Sequence, residues 1–292
     1  MSQCLFTVTC NRDRWSFLQQ YYSVNKYLES CTWYVVINEL DVSKWMEWFK
    51  SNKAVSPHKI IFIPLSKYLS PLHSEVQDYI KSLSGYWRQL YLKLLIHLHC
   101  KEDRIVVLDS KNWLTKHCKL TEFPQQRLKR KEDTVFYGTI DFFEKYWNIE
   151  TPLVTNNITP YIFYKKTLNQ MWKEFDGENT GIMFLKNQDF ESIEPTHQSA
   201  FLAEFFMYDI FCHYKKLHVN IKRDVEINSN YEWFDPSRFE NKDKFMEDFK
   251  NTISKNNSIC ITIKWYVKEE GGALTREQRE QLINIVMNDG DK

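Results

Sequence analysis

Arg104-Ile105-Val106-Val107-Leu108-Asp109-Ser110-Lys111-Asn112 is the stretch on which the fold turns. Four apolar residues run unbroken between Arg104 and Asp109. A strand buried on both faces reads this way, because neither face alternates with solvent, and such strands form the middle of parallel sheets covered by helices. Upstream, a helical pattern covers Tyr86 to Leu98 and leads through Lys101-Glu102-Asp103 into the strand. Earlier strands are read at Leu5–Cys10, Trp33–Asn38 and Lys59–Pro64, the last closed by its proline. A helix from Trp15 to Leu28 lies between the first two.

Downstream, Thr134–Gly138 and Pro160–Tyr164 read as strands, Lys166–Phe175 and the apolar Phe201–Tyr214 as helices, and Ser258–Trp265 as a late strand. A closing helix spans Thr275–Met287, with Thr275 as its N-cap. Alternation of strands and helices predicts an α/β domain, a mostly parallel central sheet flanked by helices. No internal repeat, low-complexity linker or composition boundary divides the chain, so residues 1–292 are read as one domain.

The chain has 43% hydrophobic and 26% charged residues, the balance of an ordinary folded protein rather than a disordered or fibrous one. Ten Trp, 16 Tyr and 20 Phe against seven Gly predict bulky core layers, since aromatic area dominates packing. A net charge of +1 gives no field for a nucleic-acid partner. The basic run Gln126–Lys131 is followed at once by Glu132-Asp133 and reads as a solvated loop or helix end. Seven cysteines, with no Cys-x-x-Cys pair and no zinc spacing, fit free thiols in a reducing compartment. No apolar run reaches the length of a membrane span, and the expected location is the cytoplasm.

Ligands of open α/β sheets bind beyond the carboxyl ends of the strands. That rule selects three loops, Asn11–Arg14, Glu39–Asp41 and Asp109–Asn112. Asp109 either meets a divalent cation bridging a diphosphate or caps the following turn. Gln89 and Lys93 share a helix face, either as ligands for a base or sugar and a phosphate or as an exposed polar face. Tyr231-Glu232-Trp233-Phe234 either stacks on a sugar or packs. His97-Leu98-His99 puts two histidines on different helix faces, which argues against a shared metal. Walker, Gly-x-Gly-x-x-Gly and Gly-x-Ser-x-Gly patterns are absent, which disfavours P-loop, dehydrogenase and serine-hydrolase classes.

Three blocks in order carry a resemblance: the Thr7-Val8-Thr9 strand ending in a polar turn, Gly85-Tyr86-Trp87-Arg88-Gln89 with Lys93-Leu94, and Val107-Leu108-Asp109-Ser110-Lys111-Asn112. Together with Thr159-Pro160-Tyr161 and Ala203-Glu204-Phe205, over roughly residues 4 to 215, they resemble the GT-A type (Rossmann-like) glycosyltransferases. The pattern is most similar to a poorly characterised bacterial and viral family of glycosyltransferase-like proteins, one that carries a domain-of-unknown-function label. The resemblance implies a hexosyltransferase type of enzyme with a nucleotide-diphosphate sugar donor and a hydroxyl acceptor on a glycan, lipid or protein. Residues 1–115 would form the donor-binding half, 116–270 the acceptor side and 271–292 a closing helix. Thr9, Asn11, Arg12, Asp13, Glu39, Gln89, Lys93, Asp109, Lys111 and Asn112 are the implied donor contacts. Asp109 is the implied ligand of Mn or Mg. Glu204 stands where inverting members carry a general base, or else is a surface or capping carboxylate.

The chain departs from the pattern at Lys111, which replaces the second acid of Asp-x-Asp. Metal affinity should fall, and the lysine offers a cation directly to the diphosphate. Two other classes follow from the same residues. One is a catalytically degenerate protein that binds a nucleotide sugar or a partner on this fold, and the other a nuclease or nucleotidyltransferase, which the near-neutral charge disfavours.

Overall fold

Strand β1 (Gln3–Thr9) lies at the centre of a five-stranded sheet, parallel to β2 (Thr32–Ile37) on one side and to β4 (Arg104–Asp109) on the other. This computed structural model describes residues 1–123, 129–130, 137–151, 153–154, 159–188, 202–217, 231–234, 242–255, 260–263 and 276–289. Strand β3 (Lys59–Pro64) continues the parallel ladder outside β2. The far edge is closed by an antiparallel strand, Tyr161–Tyr164, so the sheet is mostly parallel. Val8 pairs with both Val36 and Asp109, and Val36 with Ile63, which brings the carboxyl ends of the four parallel strands to one level.

The period-2 geometry of a strand sorts its residues between two cores. Cys4, Phe6, Val8, Tyr34, Val36, Ile105 and Val107 enter one. Leu5, Trp33, Val35, Ile37, Val106 and Leu108 enter the other. On the second face lie α1 (Arg14–Tyr27), with Phe17, Leu18, Tyr21 and Val24, and α2 (Ser43–Asn52), with Trp45 and Phe49. Phe17 touches the rings of Trp33, Trp45 and Phe49 at centroid distances of 5.5, 5.5 and 5.6 Å. The aromatic surplus of the sequence is thus largely this packing.

The first face carries α3 (Leu65–Leu69), α4 (Ser74–Ser82) and α5 (Gly85–Leu94). The expected helix to Leu98 breaks at Leu95, and Ile96–Leu98 turns as a single 3₁₀ turn. His97 bonds the Leu94 carbonyl and Glu178, while His99 bonds the Tyr68 carbonyl, so each histidine has its own structural partners.

Two short strands follow β4: β5 (Asn112–Leu114) and β6 (Lys129–Arg130), which is all that is described of the basic run. Helix α6 (Tyr137–Trp147) corrects one expectation, since Tyr137 and Gly138 open a helix instead of ending a strand. Its Ile140, Phe143 and Trp147 recur at helical spacing and are buried in the first core. Thr134–Phe136 lie outside the described residues. Strand β7 (Leu153–Val154), which pairs with β6, and strand β8 (Tyr161–Tyr164) precede α7 (Lys165–Lys173), α8 (Glu178–Lys186) and α9 (Glu204–Tyr214), three helices buried against the first core.

Strand β9 (Tyr231–Phe234) and, after α10 (Lys242–Lys255), strand β10 (Cys260–Ile263) form a small sheet with β5. Helix α11 (Arg276–Asp289) then closes the second face with Leu282 and Val286. Ser258, Ile259, Lys264, Trp265 and the expected cap Thr275 lie outside the described residues. Among the described residues no helix is long and apolar enough to cross a membrane.

Candidate functional site

Asp109 is the last residue of β4, and strand alternation puts it on the same face as Ile105 and Val107, toward α5 and α9. Each of those helices supplies one charged group. The Lys93 ammonium on α5 lies 3.0 Å from Asp109 Oδ1 and 2.9 Å from Glu204 Oε1, the latter on the first residue of α9. Lys93 and Glu204 side chains are 5% and 3% exposed and that of Asp109 is 23% exposed, so the ion pairs form almost out of water. The ring of Phe205, itself stacked on Tyr161 at 4.1 Å, closes the apolar side at 5.0 Å from the ammonium.

Burial penalises every charge here, and the partners decide the outcome. Burial would lower the Lys93 pKa, but Asp109 and Glu204 reverse this and hold it above the ordinary lysine value. Burial would raise Asp109, yet Lys93, Lys111 and a hydrogen bond from Thr159 hold its carboxyl below the usual range. Tyr86 begins the same helix, one residue after Gly85. Its phenol is pushed up to about 12, first by burial and then by the negative charges of Glu204 and Asp109.

The turn beyond β4 is held from inside. The Asp109 backbone N–H donates to Asn112 Oδ1 at 2.6 Å, and the buried Gln20 amide on α1 donates to the carbonyls of Asp109 and Asn112 at 2.6 and 3.1 Å. Thr7 donates to Gln20 Oε1 and accepts from the Trp33 indole, both at 3.2 Å. Asn112, expected as a donor contact, is buried and builds the turn. Gln20 was not singled out by sequence; its signal is a polar side chain inside the Phe17, Leu18, Tyr21, Val24 stripe.

The neighbouring strand ends are tied to each other. The Asn11 N–H donates to Glu39 Oε1 at 2.6 Å, and exposed Arg12 pairs with Asp13 at 3.3 Å. Asn38 donates to the Gly85 carbonyl at 3.0 Å and accepts from Arg88 at 3.1 Å, which fixes the start of α5 beside the end of β2. Asp41 turns back onto Ser43, with the Ser43 N–H at 3.0 Å, and so starts α2. Thr9 is buried, and its hydroxyl has no hydrogen-bond partner among the described residues.

Tertiary structure therefore brings Lys93, Asp109, Lys111 and Glu204 together and sets Thr9, Asn11, Arg12, Asp13 and Glu39 along the adjoining strand ends. Gln89 stays half-buried one turn before Lys93 and makes no bond to the cluster. Of the two alternatives for Lys93, the exposed polar face is ruled out by its burial. Glu204, likewise, is a buried ion-pair partner and not a surface carboxylate.

Both carboxylates of the cluster are engaged by lysine. Asp109 Oδ1 faces Lys93 and Oδ2 faces Lys111 at 4.0 Å, while Glu204 is bonded to Lys93. Among the described residues no group of three or more His, Cys, Asp or Glu side chains lies together.

No family model and no curated protein sequence matches this chain. Among solved structures it is similar to the apo form of mouse Xyloside xylosyltransferase 1, with a TM-score of 0.50 at 10% identity over 90% of this chain and 97% of that one. The galactosyltransferase LgtC in complex with donor and acceptor sugar analogues gives 0.45 at 10% identity, covering 96% of this chain and 95% of its own. The glycosyltransferase GlyE of Streptococcus pneumoniae TIGR4 gives 0.45 at 12% identity, covering 100% and 61%. At such identities the likeness is one of architecture: a mixed α/β fold with a mostly parallel five-stranded sheet flanked by helices, matching the GT-A glycosyltransferase fold.

Proposed function

We propose that this chain is a glycosyltransferase that moves a hexosyl group from a nucleotide-diphosphate sugar to a hydroxyl of a glycan, lipid or protein. The observation that carries the reading is the Lys93–Asp109–Glu204 ion-pair cluster at the carboxyl end of β4, where open α/β sheets bind ligands. The nucleotide lies over Thr9, Asn11, Arg12, Asp13 and Glu39, and the diphosphate points to the 109–111 turn. Residues 116–270 supply the acceptor side. The ordered motif blocks support a place nearest the poorly characterised bacterial and viral glycosyltransferase-like family. The cysteine usage supports a cytoplasmic setting.

A general base must come within hydrogen-bond reach of the proton it removes. Glu204 Oε1 is already engaged by Lys93 at 2.9 Å. As it stands, it is a positioning residue that fixes the Lys93 ammonium, and Lys93 in turn fixes the Asp109 carboxylate at the strand end.

The buried Glu204 and the lysine at 111 favour a second reading, a protein that binds a nucleotide sugar and transfers nothing. Calorimetry and thermal shift against UDP, GDP, CDP and ADP sugars, followed by assay of donor hydrolysis, separate the two. Binding lost in Asp109→Ala together with slow donor hydrolysis supports the transferase. Binding without hydrolysis supports the second reading, and no binding by any of them removes both.

A further inference from the structure

Helix α5 stops at Leu94, and two side chains meet its last carbonyl. The Trp172 indole on α7 donates to the Leu94 oxygen at 3.1 Å, and His97 Nδ1 lies 3.0 Å from the same oxygen. The other ring nitrogen, Nε2, lies 2.8 Å from Oε1 of Glu178, the first residue of α8. The His97 side chain is fully buried and that of Glu178 is 25% exposed.

A backbone carbonyl only accepts, so the hydrogen bond at Nδ1 uses a ring proton. The bond between Nε2 and Glu178 needs a second proton, carried by the ring or by the carboxyl. Two helix ends decide between them. The C-terminus of α5 favours a cation, and the N-terminus of α8 favours an anion. Both therefore favour imidazolium beside carboxylate over two neutral groups. The hydrogen bond from His97 accordingly holds the Glu178 carboxyl below its ordinary value. The neighbouring elements bring other groups near the ring, each with its own partner. His99 bonds the Tyr68 carbonyl, Tyr68 on α3 turns its hydroxyl to the Leu92 carbonyl, and Lys165 on α7 bonds the Cys100 carbonyl. Lys93 on α5 is held by Asp109 and Glu204.

We infer that His97 and Glu178 form a pH-sensitive clamp between α5 and α8: the imidazolium, protonated on both nitrogens, holds the two helix ends together, and loss of one proton releases them. A neutral ring has one N–H for two oxygen acceptors. With the proton on Nδ1, the Nε2 lone pair faces the carboxylate; with it on Nε2, the Nδ1 lone pair faces the Leu94 carbonyl. In acid the clamp is lost from the other side. Glu178, depressed below its ordinary 4.5, contributes fully above that value and loses its charge as pH falls through the folded value. The Lys93 ion pairs use other atoms, so the clamp acts on the joint of α5 and α8 and not on the cluster at the strand end.

The test is nitrogen-15 NMR of the full chain labelled at histidine. The His97 ring is identified by loss of its signals in His97→Gln, or by their shift in Glu178→Gln should the first variant not fold. At about pH 7 both ring nitrogens should carry protons, and raising the pH should remove one while the chain stays folded. Hydrogen exchange should then show the α8 amides about fivefold less protected above that midpoint than below it, with intrinsic exchange divided out. In His97→Gln or Glu178→Gln that difference should vanish. A ring with one proton at about pH 7 overturns the imidazolium. A ring that keeps both protons to about pH 10 is a fixed ion pair and overturns the pH sensitivity. Protection of α8 that changes equally in wild type and variants overturns the clamp.

Discussion

Lys93 on α5 and Glu204 on α9, 111 positions apart in sequence, meet in a 2.9 Å ion pair with both side chains sealed from solvent. The pair joins two helices of one face, and through Asp109 it joins both to the central sheet. Burying these charges is expensive, and only their mutual arrangement offsets the loss of water. Removing one member should therefore cost more than the contact itself contributes.

Lys93→Met should destabilise the protein by about 3–5 kcal/mol, because two carboxylates are left facing each other without a cation. Adding Glu204→Gln to it should recover part of that loss. Urea unfolding of wild type, both single variants and the double variant gives the coupling; a Glu204→Gln effect of the same size with and without Lys93→Met would mean that Lys93 and Glu204 are not energetically linked.

The cluster sets a pH window with a defined sign. The folded-state pKa of Asp109 lies below its ordinary 3.8, so its contribution is complete above that value and is lost as pH falls through the folded value. Lys93 lies above its ordinary 10.5, so its contribution is complete below that value and is lost as pH rises through the folded value. Between these limits the stability difference between wild type and Asp109→Asn should be flat, and it should shrink in acid. A slope near neutral pH in the measured difference would contradict the assignment.

Gln20→Leu should loosen the loop beyond β4 from behind. It removes a hydrogen bond from each of the carbonyls of Asp109 and Asn112, at roughly 0.5–1.5 kcal/mol for each bond lost. Thermal unfolding reads the loss. Nucleotide affinity should fall in the same variant although Gln20 lies on the α1 side of the sheet; unchanged affinity would uncouple the turn from the donor site.

Gly181→Ala provides the contrast. A Cβ there would lie 2.8 Å from Trp172 and 2.9 Å from Phe175 Cβ, an overpacking that should cost about 1–3 kcal/mol. Residue 181 lies on α8, which adds no side chain to the cluster, so nucleotide binding at permissive temperature should match wild type.

The four parallel strands are legible because each is a short, largely apolar run ending in a polar residue, charge or proline, as at Ile37-Asn38, Leu108-Asp109 and Ile63-Pro64. Helix α6 is misread because Val135-Phe136-Tyr137 has strand-like composition, while the buried Ile140, Phe143 and Trp147 that decide the matter come after it. Asp109, Lys93 and Glu204 stand out singly as polar groups beside apolar runs. Asn112 shows only its residue type, and nothing local tells that its amide folds back onto the Asp109 N–H.

By itself the sequence determined the α/β class, the central place of Arg104–Asp109 and the presence of a lone acid followed by Lys111 at its end, because hydrophobic periodicity and residue order are local properties. Only the tertiary structure decided that Lys93 is buried, that Glu204 is its partner and that Gln20 holds the turn. Those facts depend on which faces of α1, α5 and α9 close on the sheet, and contacts over 89 and 111 positions leave no mark in local spacing.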